Sequence, residues 1–89
     1  MENKKEKELL ELAKFYFLSS KFDEAKKEFD KVLGINPLNS QANCNLGLIC
    51  EHKKDYEQAK QMYKKTLDID ITNKVAKEHL DKITGLNNE

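Results

Sequence analysis

Residues 6–39 align with residues 40–73 without a gap, a period of 34 residues. Identities fall at Leu12/Leu46, Ala25/Ala59, Lys26/Lys60, Lys31/Lys65, Leu33/Leu67, Ile35/Ile69 and Asn39/Asn73. Similar residues meet at Phe22/Tyr56, Asp23/Glu57 and Phe29/Tyr63. Most of these positions are the small or apolar sites that two packed helices require. A unit of this size cannot bury its apolar face alone. It must stack on the next unit, which restricts the chain to a quasi-one-dimensional array of helix pairs.

Helical spacing runs through both units. Leu9, Leu12, Ala13 and Tyr16 follow the i, i+3, i+4, i+7 template and predict a first helix from about Lys4 to Ser19. Leu10, Phe17 and Leu18 widen its apolar face. Ser20-Lys21-Phe22-Asp23 reads as a weak capping box opening a second helix. That helix carries Phe22, Ala25, Phe29, Val32 and Leu33 and ends near Gly34, before Pro37. Asn36 to Asn39 is a turn. A third helix is expected from near Ser40 to about His52, and a fourth from Tyr56 to Ile69 after the polar turn Lys53-Lys54-Asp55. Thr72-Asn73 offers a cap for a fifth, from Lys74 to Thr84, which Gly85 terminates; Leu86 to Glu89 are expected to fray. No run has strand alternation. Gly47 interrupts the third helix at a cost of about 1 kcal/mol relative to Ala. Its smallness therefore predicts a close crossing by the fourth helix, with Ala59 as the expected contact.

On these residues the chain resembles the tetratricopeptide repeat family. The signature is a Leu-small pair, an aromatic, then aromatic, Ala, aromatic and a closing Pro. The first unit supplies Leu12-Ala13, Tyr16, Phe22, Ala25, Phe29 and Pro37; the second supplies Leu46-Gly47, Tyr56, Ala59 and Tyr63. The second unit departs at Cys50 for the aromatic, Thr66 for Ala and Ile71 for Pro. Leu9 and Asn43 stand where Trp is common. The resemblance implies an all-α fold: a right-handed α-solenoid of antiparallel helix pairs, in one domain over residues 1–89. Repeats at 6–39 and 40–73 would be followed by a capping helix at 74–84. Asp81 occupies the register of Ala13 and Gly47, and an unpaired Asp tolerates burial poorly, which favours a terminal cap over another packed pair.

Sixteen basic and sixteen acidic residues cancel. A basic face for nucleic acid or anionic membrane is therefore not expected. No apolar run approaches the roughly 18 residues of a membrane span, and Met1 to Lys5 lead into charged helix rather than a signal core, which points to the cytoplasm. Cys44 and Cys50 lie about 120° apart around one helix and about 9 Å along it, so they cannot bridge each other. Both read as free thiols of a reducing compartment.

Metal and catalytic sites are not expected. Zinc spacing is missing among Cys44, Cys50, His52 and His79, and no cofactor motif occurs. Cys44 with His79 is the one nucleophile–base pairing worth naming, and no oxyanion loop accompanies it. In an array of this kind the first helix of each pair lines the concave side. Its expected surface here holds Leu10, Lys14, Phe17, Leu18, Cys44, Asn45, Leu48 and Glu51, with His52, Val75, Glu78 and Lys82 beside them. Clustered apolar side chains in such a groove suggest a contact surface for a protein or peptide partner. Some members of the family grip acidic chaperone tails with a Lys/Asn/Asn/Lys/Arg clamp. The matching positions hold Leu10, Lys14, Asn45, Val75 and His79, and only Asn45 agrees, which argues against that role. The expected function is a non-enzymatic protein-interaction module; the alternative is a homo-oligomerising unit.

Overall fold

A computed structural model describes residues 3–85, so the expected fraying of Leu86 to Glu89 lies outside the described residues. Among the described residues five helices follow one another: α1 Lys4–Leu18, α2 Phe22–Ile35, α3 Ser40–His52, α4 Tyr56–Ile69 and α5 Lys74–Thr84. No strand occurs among the described residues. α1 packs chiefly on α2 and α3 on α4; α2 meets α3 and α4 meets α5 in the same manner. The result is two helix pairs and a closing helix.

The repeat is legible in how the helices begin and turn. Asn39 and Asn73, one of the aligned identities, are the N-caps of α3 and α5. Their Oδ1 atoms accept from the amides of Ala42 and Ala76 at 2.9 Å each. Asn3 caps α1 in the same way through Glu6, and Asp55 caps α4 through Gln58. Each such cap satisfies a backbone donor that the helix leaves free, worth about 0.5–2 kcal/mol.

The capping box expected at Ser20 does not form. Lys21 is the N-cap of α2 and makes no side-chain cap bond, while Ser20 has a left-handed backbone with φ 60°. A capping residue needs an extended backbone, so the turn displaces the box. Lys54, in the register of Ser20, has φ 65°. Both hairpins close with the same hydrogen bond, Lys21 N to Tyr16 O at 2.9 Å and Asp55 N to Cys50 O at 2.8 Å.

Burial differs between the two pairs. Ala42, Leu46 and Ile49 on α3 are covered by α2, and Leu46 and Ile49 are only 4% and 1% exposed. Their register partners on α1 are Glu8, Leu12 and Phe15. Leu12 and Phe15 stand 40% and 62% exposed. Leu12, expected on the packing edge, is thus half outside the core, since α1 packs chiefly on α2 alone. Asn43 is buried where the family often has Trp. Its Nδ2 donates to Pro37 O at 3.2 Å and Asn39 O at 3.0 Å, tying α3 to the preceding turn. Thr66, buried at an Ala site, donates its hydroxyl to Met62 O at 2.8 Å. Asp81 is half-buried and paired with Lys77 at 3.0 Å, so its charge is compensated within α5.

Candidate protein-interaction face

Two cross-helix hydrogen bonds join the first helices of the pairs. Lys14 Nζ on α1 donates to Gln41 Oε1 on α3 at 3.1 Å. Glu51 Oε1 on α3 lies 2.8 Å from His79 Nδ1 on α5. α1 is thus linked to α3 through side chains, and α3 to α5, which it also touches directly.

Glu51 is the best-anchored group on the candidate face. The Tyr63 hydroxyl, reaching over from α4, donates to the same Oε1 at 2.7 Å. Partial burial by itself pushes the Glu51 carboxyl up. The hydrogen bonds from Tyr63 and His79, with the charges of His79 and Lys82, outweigh it and hold the carboxyl below its ordinary value. Burial, followed by the neighbouring Glu51 carboxylate, pushes the Tyr63 phenol far up, so it stays protonated as the donor. The arrangement orients a carboxylate; it assembles no nucleophile. His79 is directed to Glu51 rather than to Cys44, whose Sγ lies 3.9 Å from Asn73 Oδ1. Burial raises the Cys44 thiol pKa. No group of three or more His, Cys, Asp or Glu close enough to share a metal ion occurs among the described residues.

The residues that helical register placed in the groove divide into three sets. Leu10 and Cys44 are buried, Leu10 in the core shared by α1 to α4 and Cys44 in the one that includes Tyr63 and Ala76. They lie beneath the face instead of on it, because the apolar stripe of each first helix extends further round than one packing edge. Phe17 is half-buried, edge-on to Phe22 with ring centroids 5.6 Å apart, so it closes the α1–α2 hairpin more than it faces a groove. Leu18, at the end of α1, is 82% exposed. Lys14, Asn45, Leu48 and Glu51 are half-buried, and Leu48 rests on the core formed with Tyr63 and Ala76. The surface is more polar than its sequence pattern implied. Gln41 and His79 belong to it as well, and the buried Tyr63 supports Glu51 from beneath through its hydroxyl. Gln41 and His79 carry no apolar signal, and Tyr63 reads as core because it is core.

A family model described as tetratricopeptide repeat matches residues 9–37 and 40–70. Among curated proteins, the heat shock protein STI1 of Saccharomyces cerevisiae is 35% identical over 68 residues, covering 76% of this chain and 12% of the relative. An uncharacterized protein, ycf37 of Pyropia yezoensis, is 34% identical over 73 residues, covering 82% of this chain and 41% of the relative. The chain thus spans less than half the length of either.

Proposed function

From the premise that this chain belongs to the tetratricopeptide repeat family, whose repeats mediate protein–protein interaction, we propose that it is a non-enzymatic module. It receives a peptide or helix of a protein partner on the face formed by α1, α3 and α5. The observation that supports the reading is the pair of bonds Lys14–Gln41 and Glu51–His79, which link α1 to α3 and α3 to α5. Leu48 and the exposed Leu18 supply apolar contact; Lys14, Asn45 and Glu51 set orientation by hydrogen bonding. An acidic-tail clamp is not supported, since Leu10 is buried and His79 is already bonded to Glu51. The module is read as one domain over residues 1–89, with repeats at 6–39 and 40–73 and a cap at 74–84, acting in the cytoplasm without nucleic acid. No helix among the described residues is long and apolar enough to cross a membrane.

The test is selection of binding peptides from a displayed library, followed by affinity measurement with Lys14→Glu and Leu48→Ala. Binding weakened about tenfold by each, with helicity unchanged, is the expected result; a loss of this size is about 1.4 kcal/mol. Peptides that bind both variants as well as the parent would overturn the assignment.

A second reading, self-association, is supported by the exposed pair Leu12 and Phe15 on α1. Solution mass by light scattering across a wide concentration range tests it. A constant monomer removes this reading, and a mass that rises with concentration and falls back in Leu12→Glu establishes it.

A further inference from the structure

A cleft of about 580 Å³ opens between α2, α3 and the start of α4, with Cys50 in its wall. Pockets of roughly 300–1,000 Å³ are the size that takes small groups or side chains. Its floor is apolar: buried Leu46, Ile49 and Met62, with half-buried Leu33. Its lining shares no residue with the face described above, and it stands or falls independently of it.

The repeat shows what this position ordinarily holds. Cys50 is in register with Tyr16, and both carbonyls accept the same hairpin-closing bond. In the first pair the Tyr16 ring lies half-buried against the core. In the second pair the ring is replaced by a thiol, and the cleft is found at the vacated position.

The polar rim decides which ligand chemistry fits. Lys26 is paired with Asp30 at 2.8 Å, and Lys53 is paired with Asp23. Asp55 is occupied in capping α4 through the amide of Gln58. The charges around the opening are therefore already compensated within the fold. What the cleft has left to offer is an apolar floor shaped beside a missing ring, with polar groups at its edge for a phenol or indole to meet.

We propose that the Cys50 cleft is a docking site for an aromatic side chain presented by a protein partner, the ring occupying in trans the place that Tyr16 fills in cis. Burying such a ring against an apolar floor is favourable without any ionic contact.

The test titrates the ¹⁵N-labelled full chain with N-acetyl-tyrosinamide and, in parallel, N-acetyl-leucinamide. The expected result is saturable shifts at the amides of Leu46, Ile49, Cys50 and Met62 with the aromatic probe and clearly smaller ones with the aliphatic probe. Cys50→Tyr should abolish these shifts and raise the melting temperature by filling the cleft from within. Equal response to both probes overturns the proposal, as does absence of a saturable shift up to the solubility limit. A Cys50→Tyr chain that melts lower or fails to fold also overturns it, because the cleft would then lack room for a ring. Shifts at these amides on raising the protein concentration alone would assign the cleft to a second copy of the chain and overturn the partner assignment.

Discussion

Gly47 lies under the ring of Tyr63: a Cβ on Gly47 would stand 2.6 Å from Tyr63 Cε1 and 2.8 Å from Cδ1. The glycine lets the ring lie flat on α3, and in that position its hydroxyl reaches Glu51. Adding a methyl group at Gly47 should gain about 1 kcal/mol in helix propensity. Overpacking a fully buried ring costs about 1–3 kcal/mol. Gly47→Ala is therefore expected to be net destabilising by urea titration, and Tyr63→Leu in the same chain should relieve part of the loss. A Gly47→Ala protein more stable than the parent would show that the close crossing does not constrain this position.

The acid limb of stability should depend on Glu51. Its folded-state pKa lies below the ordinary value of 4.5, as tyrosine and histidine hydrogen bonds outweigh the larger single effect of burial. A lowered folded pKa gives stability that is complete above the unfolded value and lost as pH falls through the folded value. The window is therefore at and below about pH 4.5. Unfolding free energy measured against pH should show a shallower acid decline in Glu51→Gln than in the parent, alongside a lower plateau near neutrality. Parallel profiles would mean that Glu51 contributes no pH-dependent stability.

Register partners should differ in proportion to their covering. Leu46→Ala removes a side chain packed under α2 and should cost about 2–5 kcal/mol. Leu12→Ala, at 40% exposure, should cost about 1 kcal/mol or less. Melting of the two variants checks this. Equal losses would mean that the outer face of α1 is covered in solution, as self-association requires.

The thiols should titrate as two classes. Cys44 is buried, and burial raises its pKa. Cys50 is half-buried and likewise raised, by burial first and then by Asp55. A thiol reagent at neutral pH should modify Cys50 slowly and Cys44 only on unfolding. Rapid modification of Cys44 in the native chain would contradict the packing of α3 on α4.

The helices were legible because the repeat is. One period of apolar residues fixed α1 to α4, and the Asn39/Asn73 identity marked two helix starts by a single capping interaction. Ser20 resembles a cap because a serine three residues before an acidic one looks the same whether the backbone is extended or left-handed, and only the tight hairpin decides it. The face was harder. Counting one residue past the packing edge points Leu10 and Cys44 outward, but both belong to the buried clusters, Cys44 beside Tyr63 and Ala76, since the apolar stripe is broader than one edge. The polar links Lys14–Gln41 and Glu51–His79 span 27 and 28 residues, and neither helical period nor composition records such pairings. Ala59 was the expected contact for Gly47, whereas the atoms nearest the site of its missing Cβ belong to Tyr63, one turn further along α4.

The most direct test of the interaction face is amide-shift mapping of a library-selected peptide on the ¹⁵N-labelled chain. The predicted result is a contiguous set of perturbations at Lys14, Gln41, Asn45, Leu48, Glu51 and His79, with the outer residues of α2 and α4 unchanged. Perturbations confined to Leu12 and Phe15, or to the second helices, would contradict it.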